Sequence, residues 1–155
     1  MDDCIPCCRR ADRTNYHRIN LEKSIIISEA QSKLLIKHAS DANPNESCAI
    51  IFGSIENGKR TVKDIFLAEN IDESPINFTI ANEEILKAYK IAEEKKLDVV
   101  GIFHSHPNSD AYPSATDKEF MHTNPVVWII SSGESNNLKA FMLEQEIIEI
   151  SIVIS

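Results

Sequence analysis

The sequence DVVGIFHSHPNSDAYPSATD, residues 98–117, decides how this chain is expected to fold. Its first part, Asp98–Phe103, is a short apolar run of the kind that forms a buried strand, and it leads directly into His104. In an extended segment the side chains at positions i and i+2 point to the same side. We therefore expect His104 and His106 to face one common space at the end of a strand.

A helix is expected to follow the two histidines. Ser114 and Asp117 are spaced as the partners of a capping box, with Asp in place of the usual Glu or Gln, which predicts a helix over about Ala115–Thr123. Pro107 and Pro113 restrict the connecting loop. Asp117 would lie in the first turn of this helix, from which its carboxylate can return to the side of the histidines.

Two imidazoles and one carboxylate form the ligand set of an open zinc site. Catalytic zinc has three protein ligands and leaves the fourth position to water. His104, His106 and Asp117 are therefore candidate ligands for one Zn²⁺ per chain, and the pattern favours hydrolysis over a structural metal. Taken singly, each residue has an ordinary explanation, since Asp117 would also favour the helix dipole.

The rest of the chain alternates apolar runs with two further helices. Ser28 and Gln31 form another capping-box pattern, with Ala30, Leu34 and Leu35 on one helical face. A second apolar stripe at helical spacing, Ile85, Tyr89 and Ala92, predicts a helix up to Lys96. The sequence Glu56-Asn57-Gly58 predicts a hairpin turn. Short turns between strands predict an α/β (α+β) domain with a mixed, mostly antiparallel sheet flanked by helices. The predicted strands are Ser24–Ile27, Ser47–Gly53, Lys59–Asn70, Asp98–Phe103, Val126–Ile130, Lys139–Leu143 and Ile147–Ile154, with an edge strand in the last of them.

Composition limits the possible functions. The chain has 155 residues, of which 43% are hydrophobic and 26% charged, which predicts one globular domain. A net charge of −8 argues against a nucleic-acid partner. No apolar run reaches the ~20 residues that span a bilayer, and no signal-peptide pattern begins the chain, so a cytoplasmic protein without a membrane partner is expected.

The first 20 residues are expected to form a flexible leader, with the domain over residues 21–155. Cys4, Cys7 and Cys8 lie in this leader, and Cys4 and Cys7 form a C-x-x-C pair. No second pair follows to complete a four-thiolate metal site. A reduced tail, an accessory metal site and an intermolecular disulfide all remain possible, and the role of these cysteines stays open.

A hydrolase also needs a general base near the attacking water. Asp110 and Glu119 are close to the histidines in sequence, but neither has an obvious reason to face that water. Glu46 is the better candidate, because it stands just before the apolar run Cys48–Phe52, where a charged residue would lie at the rim of the sheet.

Glu46, the sequence His104-Ser-His-Pro107 and the sequence Pro113-Ser-Ala-Thr-Asp117 together resemble the JAMM (MPN+, Mov34/PAD-1 type) zinc metalloproteases. The motif of that family is a glutamate upstream of H-x-H-x(10)-D, with a serine three residues before the aspartate. The resemblance covers roughly residues 24–143 and is greatest to the compact prokaryotic and archaeal members. One departure is Ala49, where relatives often have glycine.

The resemblance implies a single MPN domain of cytidine-deaminase-like architecture and a role for each matched residue. His104, His106 and Asp117 would bind zinc. Glu46 would take a proton from the attacking water and later deliver it to the leaving amine. Ser114 would stabilise the oxyanion, although a helix cap alone would also explain it. Cys48 is expected to be a buried apolar residue, and His17, His38 and His122 to be structural or surface residues.

Three functions follow from the resemblance. The first is a zinc-dependent isopeptidase, deubiquitinase-like or desampylase-like, that removes ubiquitin-like modifiers from target lysines and holds their Gly-Gly C-terminus as an added strand. The second processes the C-terminus of a ubiquitin-like sulfur-carrier protein. The third is a non-catalytic MPN scaffold without metal. The identity of the modifier, the linkage preference and the oligomeric state, monomer or homodimer, stay open.

Overall fold

The computed structural model describes residues 23–155, which contain three helices and seven strands. All strands and helices predicted from the sequence are present within this range, whereas the cysteine-containing leader and His17 lie outside the described residues. Among residues 23–155, no helix combines the length and apolar character that crossing a bilayer requires. The elements are β1 (Ser24–Ile27), α1 (Glu29–Ala42), β2 (Cys48–Glu56), β3 (Lys59–Ala68), α2 (Asn82–Glu94), β4 (Asp98–His106), α3 (Ala115–Thr123), β5 (Val127–Ser132), β6 (Leu138–Leu143) and β7 (Ile147–Ile154).

The strands form one mixed sheet that closes on itself in the order β1-β3-β2-β4-β5-β6-β7. Four neighbouring pairs are antiparallel, and the pairs β1–β3, β1–β7 and β4–β5 are parallel. The predicted mixed, mostly antiparallel sheet flanked by helices is thus confirmed. The prediction of an edge strand at the C-terminus is wrong, because β7 pairs with both β6 and β1.

Alternate side chains of the central strands enter different apolar layers, because successive residues of a strand point to opposite faces. Ala49 and Ile51 of β2 pack in the core that includes Leu35 of α1, whereas Ile50 and Phe52 pack against Ala88 and Ala92 of α2. In β5, Val127 and Ile129 belong to the first core, while Trp128 and Ile130 contact Met121 of α3 and Phe141. Burial on both faces explains why these strands are continuous apolar runs.

Local signals set the ends of the helices. Both predicted capping boxes are present, at Ser28 with Gln31 and at Ser114 with Asp117. The predicted apolar faces were less accurate: Leu34 and Tyr89 are exposed, while Leu35 and Ala88 are fully buried. The hairpin turn is confirmed, with Asn57 and Gly58 both at positive φ (50° and 78°), the conformation that a tight two-residue hairpin requires.

Candidate metal centre

The carboxyl end of β4 and the first turn of α3 bring three polar atoms into contact. The Nε2 atom of His104 lies 3.0 Å from Nε2 of His106 and 3.0 Å from Oδ2 of Asp117. The distance from His106 Nε2 to the same carboxylate oxygen is 3.2 Å. All three side chains are buried. The structure therefore brings together the three residues that the sequence suggested as ligands, and β4 continues through His106, so that both rings leave the strand on one side.

The two rings are oriented by different forces. His106 Nδ1 lies 2.8 Å from the backbone carbonyl oxygen of Asp110, to which it donates, and this bond orients the ring so that Nε2 faces Asp117. His104 is instead held by aromatic packing, stacked on Phe78 at 4.9 Å between centroids and edge-on to Trp128 at 5.7 Å. Among the described residues, Nδ1 of His104 is the buried side-chain atom without a hydrogen-bond partner.

The capping box of α3 also fixes the carboxylate. The backbone N–H of Ser114 donates to Asp117 Oδ2 at 2.8 Å, and the backbone N–H of Asp117 donates to Ser114 Oγ at 3.1 Å. Because Ser114 Oγ accepts from the backbone, its own proton is free to be donated outward. Ser114 is exposed, and thus lies at the mouth of the buried cluster.

The loop that follows His106 is clamped by Gly133, in the turn between β5 and β6. The Gly133 N–H donates to the carbonyl oxygen of His106 at 2.9 Å. A Cβ atom at this position would lie 2.2 Å from the carbonyl oxygen of Pro107, well inside any permitted contact. Only glycine allows this close approach, which holds the carboxyl end of the histidine strand in place.

Glu46 precedes β2 and faces the same cluster. One of its carboxylate oxygens and one nitrogen of each histidine lie within 4.8 Å of one another. The residue is 4% exposed and, among the described residues, its carboxylate makes neither a hydrogen bond nor an ion pair. Asp110 and Glu119 are exposed, and Asp110 contributes only its backbone carbonyl. Glu46 is therefore the buried acid with a free carboxylate beside the histidines.

Asn70 ties the segment after β3 to Glu46, a role that the sequence did not reveal. Its side-chain amide donates to the carbonyl oxygens of Glu46 (3.0 Å) and Asn77 (2.9 Å), and its Oδ1 accepts from the N–H groups of Asp72 (3.0 Å) and Thr79 (3.1 Å). Each of these four bonds joins Asn70 to a backbone group. The side-chain amide of Asn70 thus joins the two ends of residues 70–79, the segment whose Phe78 stacks on His104.

Replacing Asn70 by aspartate is expected to lower the free energy of unfolding by about 2 kcal/mol and to impair any activity that depends on Glu46. The carboxylate keeps the two acceptor bonds but loses both donor bonds and places a charge beside two carbonyl oxygens. Urea unfolding measures the change, with Asn77→Asp in the same segment as control, because within residues 23–155 Asn77 forms hydrogen bonds only through its backbone. Equal stability of the two variants would contradict the assigned role.

The charges of the site are strongly coupled. Burial raises the pKa of Asp117, but the hydrogen bonds and charges of His104 and His106 outweigh it and hold this pKa well below its ordinary value. Burial lowers the pKa of His104, and Asp117 only partly compensates. For His106 the burial effect is outweighed by the hydrogen bonds to Asp117 and to the Asp110 carbonyl, and its pKa is raised.

For Glu46, unlike Asp117, burial outweighs the other effects on the pKa. Burial raises its pKa from 4.5 to about 8; the charge of His106 lowers the pKa and that of Asp117 raises it, both to a smaller extent. Nearby Cys48 is buried as predicted, and burial together with the charges of Glu84, Glu46 and Asp72 raises its pKa to about 12. The site thus contains one carboxylate held ionised and one carboxyl group that can keep a proton near neutral pH.

The donor atoms fit a small divalent cation. Two imidazole nitrogens and one carboxylate oxygen converge in a buried place, where such lone pairs are stable only with a cation or protons between them. These atoms lie 3.0 and 3.2 Å apart. Neighbouring ligand atoms of a tetrahedral zinc site with bonds of ~2.0–2.1 Å are about 3.3 Å apart, which is close to these distances. The cluster is therefore compatible with a metal site that has three protein ligands.

A known protein family matches most of this chain. The model for prokaryotic homologs of the JAB domain matches residues 28–144, which include Glu46, both histidines and Asp117. The chain belongs to this family. A desampylase from Pyrococcus furiosus is 37% identical to this JAB-type chain over 133 residues, which cover 84% of the chain and 91% of the desampylase.

Two further proteins are similar over different shares of the JAB-type chain. A CysO-cysteine peptidase from Mycobacterium tuberculosis is 32% identical over 83 residues, 54% of the chain and 56% of the peptidase. The solution structure of a protein from Desulfitobacterium hafniense superimposes with a TM-score of 0.77 at 29% identity, covering 84% of the chain and 92% of that protein. The predicted membership in the JAB/MPN class is confirmed.

Proposed function

We propose that this JAB-type chain is an isopeptidase that releases ubiquitin-like modifiers from target lysines. The observation that carries the proposal is the free, buried carboxyl group of Glu46 beside the nitrogens of His104 and His106. Similarity to desampylases supports the substrate class. Residues 21–155 would form the catalytic domain.

His104, His106 and Asp117 would hold one zinc ion. When bound, zinc would lower the pKa of a water molecule to about 7 and polarise the carbonyl group of the scissile amide. The coordinating tautomer of His106 is fixed by the Asp110 carbonyl, and Asp117 is kept ionised by its two histidine partners. These residues would therefore be ready to bind a cation without prior reorganisation.

Glu46 would move the proton of the reaction. Hydrolysis joins the oxygen of water to the carbonyl carbon, breaks the carbon–nitrogen bond and transfers a proton of the water to the amine. Glu46 accepts this proton as general base and delivers it to the leaving lysine nitrogen as general acid. A carboxyl group whose pKa burial raises to about 8 is suited to hold the proton between these two steps.

Ser114 would stabilise the oxyanion that forms on the carbonyl oxygen, because its hydroxyl proton is free. Replacing Ser114 by glycine is expected to reduce kcat about 10²-fold, the effect of losing one oxyanion donor. Glycine is a tolerated N-cap, so the stability of the protein should change by only a few tenths of a kcal/mol. Steady-state kinetics and thermal unfolding measure both quantities.

Ser114→Thr is the matched control for this prediction. Threonine keeps both the capping oxygen and the hydroxyl proton, and it should retain most of the activity. If the glycine variant were as active as the wild type, Ser114 would act only as a helix cap.

Cleavage of a modifier–lysine conjugate tests the proposed function directly. The zinc-loaded protein should cleave the conjugate, and a chelator should abolish this cleavage. Metal analysis should find one zinc ion per chain. A protein that neither contains nor takes up zinc would support the scaffold alternative. Absence of cleavage by a zinc-loaded protein would contradict the isopeptidase proposal.

A second candidate keeps the chemistry but changes the substrate. Similarity to the CysO-cysteine peptidase favours a role in trimming the C-terminus of a sulfur-carrier protein. Product mass spectrometry on a carrier with a C-terminal extension and on a lysine conjugate separates the two uses. Either substrate would present a Gly-Gly C-terminus.

A further inference from the structure

An acidic cavity of about 500 Å³ opens on the Glu46 side of the metal centre. It lies between the C-terminal end of α1, the end of β3 and the segment that follows β3. Five carboxylate side chains line it, and no lysine or arginine does. These residues are Asp41, Glu46, Glu69, Glu73 and Glu84.

Most of this negative charge is not balanced by a cation. Asp41 pairs with Lys37 at 2.6 Å, and Glu84 accepts a hydrogen bond from the backbone N–H of Glu69 at 3.1 Å. Within residues 23–155, no lysine, arginine or histidine forms an ion pair with Glu69 or Glu73, and both are exposed. The cavity wall therefore presents at least two free carboxylates to whatever enters it.

Glu46 connects this cavity to the reacting bond. It is 4% exposed, its carboxylate has no partner among the described residues, and it both lines the cavity and lies beside the two histidines. In the proposed reaction Glu46 delivers a proton to the leaving amine, so this amine must come within hydrogen-bond distance of it. The leaving amine therefore comes close to a residue that also lines the acidic cavity.

A second cavity near the candidate site has a different character. It has a volume of about 220 Å³, lies between α2, α3 and the sheet, and is lined mainly by apolar side chains, including Phe78 and Trp128, which pack on His104. The concentration of carboxylates is thus a property of the cavity that Glu46 lines.

We propose that the acidic cavity selects the leaving half of the substrate, favouring a target lysine flanked by basic residues. This inference rests on the proposed isopeptidase function. Exposed carboxylates attract cationic side chains and repel anionic ones. The same wall disfavours a leaving amine that carries a free α-carboxylate, such as a C-terminal cysteine. Glu69 and Glu73 would be specificity residues and would take no part in bond cleavage.

The test uses peptides that contain a single lysine flanked by arginine, alanine or glutamate on both sides. Binding of each free peptide to the zinc-loaded wild-type protein is measured by fluorescence anisotropy. Each peptide is also conjugated through its lysine to the Gly-Gly C-terminus of a ubiquitin-like protein, and the kinetics of cleavage of this conjugate are measured. We expect about 10-fold tighter binding and higher kcat/KM for the arginine peptide than for the glutamate peptide at low salt, and a smaller ratio at high salt. A ubiquitin-like protein extended by cysteine should be cut more slowly than the alanine-flanked conjugate.

The double variant Glu69→Gln/Glu73→Gln should reduce this preference at least about 3-fold, because it removes the two unpaired carboxylates of the cavity wall. Glu56→Gln/Glu149→Gln is the matched control, with two exposed glutamates on β2 and β7 that do not line the cavity. Equal binding of the arginine and glutamate peptides would overturn the inference even if all conjugates were cleaved. Selective binding without cleavage would support the cavity's preference and contradict the proposed function.

Discussion

Replacing Glu46 by glutamine is expected to lower kcat/KM about 10³-fold while the zinc content stays the same. A positioned general base and acid contributes roughly 10²–10⁴-fold, and apart from the proposed ligand Asp117 no other carboxyl group among residues 23–155 combines burial with a position beside the two histidines. The measurement is conjugate cleavage at saturating zinc, together with metal analysis of the same sample. A glutamine variant with full activity would exclude Glu46 as the proton carrier.

The same substitution has a second, opposite effect on stability. Burial raises the pKa of Glu46 from 4.5 to about 8, so between these values the folded metal-free protein retains a proton that the unfolded chain has released. Its stability therefore falls as the pH rises through this window, and the loss is complete above about 8.

Glutamine does not ionise, so the stability gain of the Glu46→Gln variant should grow from pH 5 to pH 9. One pKa unit corresponds to 1.36 kcal/mol, and we expect a difference on the order of 3 kcal/mol in the metal-free protein. Urea unfolding at the two pH values, with chelator present, measures it. A gain that does not depend on pH would mean that ionisation of Glu46 is not disfavoured in the fold.

Replacing Asp117 by asparagine is expected to weaken zinc binding and hydrolysis by at least about 10³-fold. Asparagine removes the anionic member of the proposed ligand set, which the two histidines cannot replace. Its amide oxygen can still accept from the Ser114 N–H, so the first turn of α3 should be preserved. Zinc titration and circular dichroism separate loss of the metal from loss of the helix.

Asp110→Asn is the control for this experiment. Asp110 is exposed and contacts His106 only through its backbone carbonyl, so this variant should bind zinc as the wild type does. A further readout is the pKa of His106 in the metal-free protein, measured by NMR. It should fall in Asp117→Asn, because the carboxylate that raises it has been removed. Unchanged zinc affinity in Asp117→Asn would contradict its role as a ligand.

Features of the fold that depend on neighbouring residues were predictable from the sequence. The capping boxes at Ser28 and Ser114 and the turn at Asn57 and Gly58 are encoded within four residues, and the structure contains all three. The closure of the sheet was not predicted, because it depends on parallel pairing of β1 with β3 and β7. Strands so distant in sequence leave no local signal of which edges they will join.

The candidate site was predictable to different degrees. His104 and His106 share a side because they are two residues apart in a strand, a purely local rule. Glu46 lies 58 residues before His104, and it was chosen from its position before the apolar run Cys48–Phe52 and then from the family resemblance. Asn70 and Phe78 were missed, because their importance comes from contacts with Glu46 and His104 that form only in the folded chain.

The four hydrogen bonds of Asn70 leave room for insertions in the loop that follows β3. Together with the bond from Ile71 N–H to the Thr79 carbonyl oxygen, they close the base of the intervening loop. Lengthening a closed surface loop adds little entropy penalty, since each doubling of its length costs only about 0.6 kcal/mol. An insertion that keeps the bond from the Glu46 N–H to the Ser74 carbonyl oxygen (2.9 Å) would thus change which partner is bound while the proposed chemistry at Glu46 stays intact.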